Sequence, residues 1–210
     1  MKNLSKFLVI LLLAFMFTSC VDYVQSISYK DGKYHIYYKI TLSKLIFAMA
    51  DEDPEEMFEN YDVETLDGMP ETTIVKPINT ELEVGEEFYV DINPRTKDDE
   101  EKALLPKISG NKCFIPFALG TSKSFLDSDD YSSGSDAGFA EAIMSSAKCR
   151  VLIGKNLLPS IEIVYFEGKG GKNYSIPVYD YGESYCFEIP FIILMQDGMY
   201  RTDRIVVIKE

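Results

Sequence analysis

The sequence predicts a mainly β protein: an antiparallel β-sandwich with two or three short helices, behind an N-terminal signal helix. Short runs that alternate apolar and polar residues recur along most of the chain, as in half-buried strands. Turn-forming residues separate many of these runs, whereas segments with helical spacing are few. With 210 residues and 46% hydrophobic residues, the chain can build one sizeable core. An immunoglobulin-like strand arrangement is compatible with this pattern, but an antibody-type core is excluded because the chain has no Trp.

The first predicted element is a β-hairpin. Alternating residues occupy 25–29 and 34–40, and Asp31 and Gly32 lie between the two runs. An Asp-Gly pair flanked by β-branched and aromatic residues is a strong signal for a two-residue hairpin turn. We therefore expect one β-rich domain over residues 24–210, with its first strand close to the start.

Three short helices are predicted. Residues 43–50 carry apolar side chains at helical spacing. The segment 53–61 begins with a capping Asp53, a proline at the first helical position and two acids in the first turn. A third helix is predicted to be capped by Ser135 or Asp136.

The remaining segments predict strands joined by polar loops. The predicted strands cover residues 72–77, 88–92, 113–119, 149–153, 161–166, 174–181, 185–195 and 201–208. Pro116 is expected to confine its strand to a sheet edge or a bulge, because proline has no N–H to donate. Residues 93–102 and 126–138 are predicted loops.

The first twenty residues differ from the rest of the chain. Their parts are, in order, Lys2 and Lys6, an apolar run over 7–17, and then Thr18, Ser19 and Cys20. As a helix, the apolar run would span about 16 Å, whereas the hydrocarbon core of a bilayer is about 30 Å thick. The run is therefore too short for a membrane span and has the layout of a signal peptide.

This leader resembles the type II signal peptide of bacterial lipoproteins, and only the leader carries the resemblance. In that family the leader is cut before a cysteine, which becomes the lipid-bearing N-terminus. The resemblance implies a signal peptide over 1–19, cleavage between Ser19 and Cys20, and fatty acyl chains such as palmitate on Cys20. Phe17 stands where the motif usually has Leu, a departure that occurs in spirochaetes and some other bacteria. The alternative is an ordinary secretory peptide cut nearby.

The resemblance also implies a location. Cys20 would hold the protein outside the cytoplasm on a bacterial membrane, the outer membrane in preference to the inner, with residues 20–23 as the lipidated cysteine and a very short tether. The sequence leaves open whether the domain faces the periplasm or the cell surface. Removal of 1–19 takes two lysines and no acid, so the net charge changes from −13 to −15. Such a charge argues against nucleic acid as a partner and against electrostatic docking on anionic lipid. The expected partners are the bilayer, through Cys20, and an envelope or host protein.

Three cysteines follow Cys20: Cys113, Cys149 and Cys186. Outside the cytoplasm a disulfide is allowed, but three thiols leave at least one unpaired. The alternative is that all three are buried strand residues, since an unpaired cysteine packs like a small apolar side chain. Sequence reasoning leaves both arrangements open.

The chemistry-bearing residues are few. His35 is the single histidine of the chain, so a multi-histidine metal cluster is excluded, and no Gly-x-Ser-x-Gly motif marks a nucleophilic serine. The lysine–glycine segments fail as phosphate loops, because neither Lys155 nor Lys172 is followed by Ser or Thr. The sequence therefore predicts no catalytic residue, no metal site and no cofactor apart from the covalent lipid on Cys20.

An acidic segment over 127–136 has the composition of a calcium-binding loop. EF-hand spacing would need an oxygen ligand, a glycine and a glutamate at the positions of Tyr131, Ser132 and Gly138. An EF-hand is therefore excluded. The segment is interpreted as a solvated loop, with another kind of calcium site as the alternative.

A group of tyrosines near the C-terminus could form a recognition face. The group consists of Tyr174, Tyr179, Tyr181 and Tyr185. Tyrosine offers a large contact area with a polar tip, which suits binding surfaces. The simpler interpretation is ordinary strand composition, because tyrosine is common in sheets.

Three functions from different classes follow. The leading hypothesis is a non-enzymatic, membrane-anchored module with a binding or structural role in the cell envelope. The second is a carrier that holds a small apolar ligand in a β-walled cavity. The third is an extracytoplasmic hydrolase, which would need a cleft that brings His35 against a thiol or two carboxylates.

Overall fold

The computed structural model describes residues 21–50, 70–116, 147–167, 171–190, 193 and 205–209. Within these ranges the protein is mainly β, as predicted, with twelve strands in two sheets and two short helices. Several predicted features lie outside the described residues: the leader 1–19, Cys20, the helix 53–61, and the loop 126–138 with the helix after it.

The larger sheet has seven strands. In chain order they are β1 (Val21–Lys30), β2 (Lys33–Ser43), β3 (Ile74–Asn79), β4 (Glu83–Ile92), β7 (Lys148–Gly154), β10 (Val178–Asp180) and β11 (Ser184–Pro190). Their order in space is β10–β11–β7–β1–β2–β4–β3. The first strand of the chain is therefore central in this sheet.

The smaller sheet has five strands. They are β5 (Lys107–Ser109), β6 (Lys112–Ile115), β8 (Ile163–Glu167), β9 (Asn173–Ser175) and β12 (Ile205–Ile208), in the spatial order β5–β6–β12–β8–β9. Helix α1 (Lys44–Ala50) follows β2, where helical spacing predicted it, and α2 (Asp99–Ala103) follows β4. Buried side chains from both sheets form one hydrophobic core.

The β1–β2 hairpin has the predicted turn. Lys30 pairs with Lys33, and Asp31 and Gly32 both have positive φ, at 53° and 81°. Two consecutive residues with positive φ are the mark of a type I′ turn, whose twist matches that of the flanking strands. The Asp-Gly pair thus sets the register of the two strands.

The first strand begins earlier than the sequence pattern indicated. β1 starts at Val21, and both Val21 and Tyr23 are buried, so residues predicted as tether lie in the sheet. The strand pattern at residues 21–24 was missed because Asp22, a charged residue close to the leader, is more typical of a linker than of a strand. In the structure Asp22 forms an ion pair with Arg150 on the side of the sheet away from the core.

One pair of strands corrects the prediction of a wholly antiparallel sheet. β1 and β7 run parallel, with Asp22 opposite Lys148 and Ile27 opposite Ile153. The other described pairs are antiparallel. Parallel neighbours need a long crossover connection, and residues 31–147 separate these two strands. Alternation reveals a strand but not its partner.

Three smaller predictions also differ from the structure. The predicted strand 174–181 is two strands in different sheets, β9 and β10, and the break falls at Ile176 and Pro177. The predicted loop 93–102 ends in α2. Pro116 follows β6 directly, and β6 lies between β5 and β12, so Pro116 ends an interior strand rather than lying on an edge.

A buried glutamine joins the two sheets. Gln25 on β1 donates from Nε2 to the carbonyl oxygen of Pro116 at 2.7 Å, and Tyr23 Oη donates to Gln25 Oε1 at 3.1 Å. Both side chains are buried in the core. A buried amide is tolerated because both its ends have partners. Its two bonds fix the central strand against the end of β6.

Candidate functional site

The larger sheet has a polar face turned away from the core, here called the outer face. Successive side chains of a strand point to opposite sides, so Asp22 and Ser26 lie on the outer face while Tyr23 and Ile27 are buried in the core. Ion pairs between neighbouring strands cross this face: Asp22–Arg150, Lys39–Glu83 (3.2 Å) and Lys148–Glu188 (3.0 Å). His35 also contacts Asp91 on this face, at 2.7 Å. Exposed pairs stabilise little individually, so their main effect is to keep this face polar.

A row of largely apolar residues crosses the middle of the outer face. From β3 to β10, each strand contributes one residue: Ile74, Tyr89, Tyr37, Ser26, Leu152, Cys186 and Tyr179. We call this set the aromatic row. With strands about 4.8 Å apart, it extends for about 29 Å. The rings of Tyr37 and Tyr89 are in contact, with their centroids 4.8 Å apart.

The tyrosines of the aromatic row are held in place by charged neighbours. Tyr37 Oη donates to Glu87 at 3.2 Å, and Lys76 Nζ lies 4.8 Å from the ring centroid of Tyr89. Burial, with Glu87 nearby, raises the pKa of Tyr37 to about 12, so its hydroxyl stays protonated at physiological pH. At the ends of the row, Ile74 is 59% exposed and Tyr179 is 43% exposed. Such a surface can bind a partner through ring faces and fixed hydroxyl groups.

A charged row flanks the aromatic row on the side where β1 begins. Its members are Lys76, Glu87, Lys39, Val24, Arg150 and Glu188. Three cations and two acids make this strip slightly positive, in contrast to the net charge of −13 for the chain. This strip is thus less repulsive to an acidic partner than the composition of the whole chain indicates.

His35 lies on the outer face, beside Ser28 on one side and Asp91 on the other. The order resembles a Ser-His-Asp triad, but the contacts do not match one. Nδ1 of His35 is 2.7 Å from Asp91 Oδ1, and Nε2 is 3.2 Å from the carbonyl oxygen of Lys30. Because both ring nitrogens face these oxygens, neither is directed at the serine hydroxyl. The contacts join β2 to β4 and to the hairpin turn.

The cysteines resolve the two arrangements that the sequence left open. Cys113, Cys149 and Cys186 are all buried, unpaired and in strands. Burial raises the pKa of the Cys113 thiol to about 11 and the pKa of Cys149 well above its ordinary value. It also raises the pKa of Cys186. Thiols that stay protonated are poor nucleophiles, and none of the three contacts His35 in the described structure.

The tyrosine group proposed from the sequence is divided between the sheets. Tyr174 lies on β9 of the smaller sheet, whereas Tyr179 lies on β10 of the larger one. Tyr185 packs against the core, and its hydroxyl donates to the carbonyl oxygen of Pro159 at 3.1 Å. Only Tyr179 joins the aromatic row. Sequence reasoning missed Tyr37 and Tyr89, since no local pattern indicates that β2 and β4 pair.

The end of the larger sheet where β1 begins is next to the predicted lipidation residue. Cys20 lies outside the described residues, but it is bonded to Val21, whose side chain is buried. Cys20 directly precedes Val21 in the chain, so this is the end of the sheet that follows the predicted lipidation residue. We call this the anchor end. Ser43 and Glu83 pair at the same end, on β2 and β4.

Within the described ranges, no helix has the length and apolar content to cross a membrane. The same residues contain no group of three or more His, Cys, Asp or Glu that could hold a metal ion. The acidic segment 127–136 is not among the residues described. A scan against protein-family models finds no family that matches this chain. A search of curated proteins likewise finds no similar sequence.

Proposed function

We propose that this chain is a lipid-anchored protein of a bacterial envelope, attached through Cys20, whose β domain binds or supports a partner and catalyses no reaction. The leader supports the anchor, because its two lysines, short apolar run and Thr-Ser-Cys ending are typical of a lipoprotein signal peptide. The observation that carries the proposal is the start of β1 at Val21, one residue after Cys20.

The start of β1 favours cleavage directly before Cys20. A cut at this point removes residues 1–19 and leaves every residue of the central strand in place. A cut after Tyr23 would delete two side chains that are buried in the core, at a cost of about 1.5–3 kcal/mol for each large one. The folded domain and the lipoprotein motif thus favour the same position.

We infer that the two sheets, which share one core, are the layers of a sandwich, and that the aromatic row is the surface for a protein partner of the envelope or host. The row joins Ile74, Tyr89 and Tyr37 on adjacent strands, so it is rigid and costs little entropy to order on binding. The outer membrane is the proposed site of attachment. The acidic charge makes a nucleic-acid partner unfavourable.

The anchor is tested by fatty-acid labelling of three forms of the full chain in a bacterial host. We expect label in the wild type and in Cys113→Ala, and none in Cys20→Ala, because only Cys20 follows the leader motif. Cys20→Ala should also leave the membrane fraction, while Cys113→Ala should stay in it. Label that persists in Cys20→Ala would contradict the proposal.

The binding surface is tested by photo-crosslinking on intact cells. A photoreactive residue replaces Ile74, at the end of the aromatic row, or the control Ile108, on β5 of the smaller sheet. The two positions are matched, because both carry isoleucine and the side chains are 59% and 54% exposed. We expect a discrete crosslinked protein with the probe at position 74 and a several-fold weaker one at 108. Equal crosslinking from both positions would exclude the aromatic row as the binding surface.

A further inference from the structure

We propose that the turn between β3 and β4 contacts the bilayer, with Leu82 as the inserted side chain, so that the larger sheet stands with its anchor end on the membrane. This inference rests on the proposed lipid anchor at Cys20. It adds an apolar protein contact to that anchor and fixes which end of the domain faces the lipid.

The register of the sheet places Leu82 at the anchor end. Val21 pairs with Leu42, and Leu42 pairs with Val84, so these three residues lie at one level of the sheet. β4 runs in the same direction as β1, because both are antiparallel to β2. Leu82 precedes Val84 by two residues and therefore lies beyond the level at which β1 begins. Two strand spacings, about 10 Å, separate β4 from β1.

The turn holds Leu82 in a fixed position. The Thr80 hydroxyl accepts from the backbone N–H groups of Leu82 (3.3 Å) and Glu83 (3.0 Å). The Leu82 carbonyl accepts from the N–H of Lys44 at 2.8 Å, and Lys44 Nζ donates to Asn79 Oδ1 at 2.7 Å. These bonds join the turn to the start of α1. The backbone of the turn is therefore ordered before insertion, which lowers the entropy cost of binding.

The turn between β3 and β4 has an unusual composition for an exposed turn. Leu82 is 76% exposed, more than any other large apolar side chain in the described structure, and Leu45 beside Lys44 is 39% exposed. Turn positions normally carry Gly, Asn, Asp or Ser, which solvate well. Leu82 and Leu45 are brought together by the hydrogen bond from Lys44 to Leu82, so the anchor end displays two exposed leucines side by side.

The bilayer is the partner that the proposed lipid on Cys20 brings to this turn. A lipid on Cys20 brings the anchor end to the membrane, and no flexible segment separates Cys20 from the buried Val21. The contact is apolar rather than electrostatic: Glu81 is exposed beside Leu82, while Lys44 is engaged by Asn79. Zwitterionic lipid is thus a suitable surface, and anionic lipid is not required.

The test uses the lipidated full-length protein in phosphatidylcholine vesicles that contain nitroxide-labelled lipid. Leu82→Cys carries a fluorophore, and Lys33→Cys is the control, an exposed residue at the opposite end of β2, about 30 Å away. Leu45→Cys is a second probe of the anchor end. Mass spectrometry of each sample establishes the lipid on Cys20. We expect lipid quenching at 82 and at 45 to be at least threefold stronger than at 33.

The outcomes separate the two proposals. Equal quenching at positions 82, 45 and 33 in protein that carries the lipid overturns the contact of the turn and leaves the anchor intact. A Cys20 without lipid overturns both, because the inference depends on the anchor. Strong quenching at 82 in lipidated protein supports the proposed orientation.

Discussion

Tyr23 and Tyr38 are both buried in the core, on neighbouring strands, yet their hydroxyl groups have different surroundings. Tyr23 Oη donates to Gln25, which bonds to the carbonyl oxygen of Pro116, directly after β6 of the smaller sheet. Among the described residues, Tyr38 Oη has no hydrogen-bond partner, and burial raises its pKa. An unpaired buried hydroxyl costs about 1–3 kcal/mol relative to a satisfied one. These two residues therefore respond differently to the same chemical change.

Replacing each tyrosine with phenylalanine tests this difference. Tyr38→Phe removes an unpaired hydroxyl, so we expect the free energy of unfolding to stay the same or rise by about 1 kcal/mol. Tyr23→Phe removes a bond to a buried amide, so we expect a loss of about 1 kcal/mol or more. Urea unfolding followed by circular dichroism measures both. A Tyr38→Phe protein less stable than Tyr23→Phe would show that the pairing of these groups is misassigned.

Single residues also mark where sequence reasoning succeeded. Asp31 and Gly32 were sufficient to predict the hairpin turn, because its positive φ angles demand such residues. The single histidine excluded a multi-histidine metal cluster, and in the structure the contacts of His35 with Asp91 and Lys30 join β2 to β4 and to the hairpin turn. Tyr37 and Tyr89 could not be singled out, because their contact depends on a strand pairing that lies outside any local pattern.

The pairing of β2 with β4 depends on a glycine at their closest approach. A Cβ at Gly85 would lie 2.0 Å from the carbonyl oxygen of Ile40 and 2.8 Å from Cα of Thr41, both backbone atoms of β2. Backbone atoms cannot move aside without breaking the ladder. β2 and β4 therefore require glycine at position 85 to keep the register that places Tyr37 opposite Tyr89.

Gly85→Ala should destabilise the protein by about 3 kcal/mol, as an overpacking change against fixed backbone. Gly32→Ala is the matched control: no atom of the described residues lies within 4 Å of an added Cβ, and the positive φ of 81° is unfavourable for alanine by about 1–2 kcal/mol. Urea unfolding compares the two. If Gly85→Ala cost no more than Gly32→Ala, the close approach of β2 and β4 would be refuted.

The helices and strands show what the sequence reveals locally. α1 was predicted from apolar spacing, whereas α2 was missed although its signal was present: Asp98 accepts from the N–H groups of Glu100 and Glu101 as an N-cap. Three acids in a first turn are favourable there. The division of β9 from β10 was signalled by Pro177, but the change of sheet was not, since it depends on the shared core.

For the molecule as a whole, the sequence established the mainly β class and one core but not the arrangement of the strands. The parallel pairing of β1 with β7 joins segments that residues 31–147 separate, and such long-range pairing leaves no periodic trace. The aromatic row follows from this arrangement, because its seven members come from seven strands. The resemblance of residues 1–20 to a lipoprotein leader, by contrast, is a local pattern, and the leader stays a prediction.

The start of β1 links a single residue, the central strand and the proposed attachment of the whole domain. Val21 is buried in the central strand, and Cys20 directly precedes it, so cleavage before Cys20 would leave a complete domain with a lipid at one end of its sheet. The proposed contact of Leu82 with the bilayer depends on that attachment. The chemical state of Cys20 is therefore decisive.

Mass spectrometry of the N-terminal peptide determines that state. The full chain is expressed with its leader in a bacterium, purified from the membrane fraction and digested with a protease. We predict a peptide that begins at Cys20 and carries the added mass of a diacylglycerol group with its fatty acyl chains. A peptide that still contains residues from 1–19, or one in which Cys20 has a free thiol, would contradict the anchor.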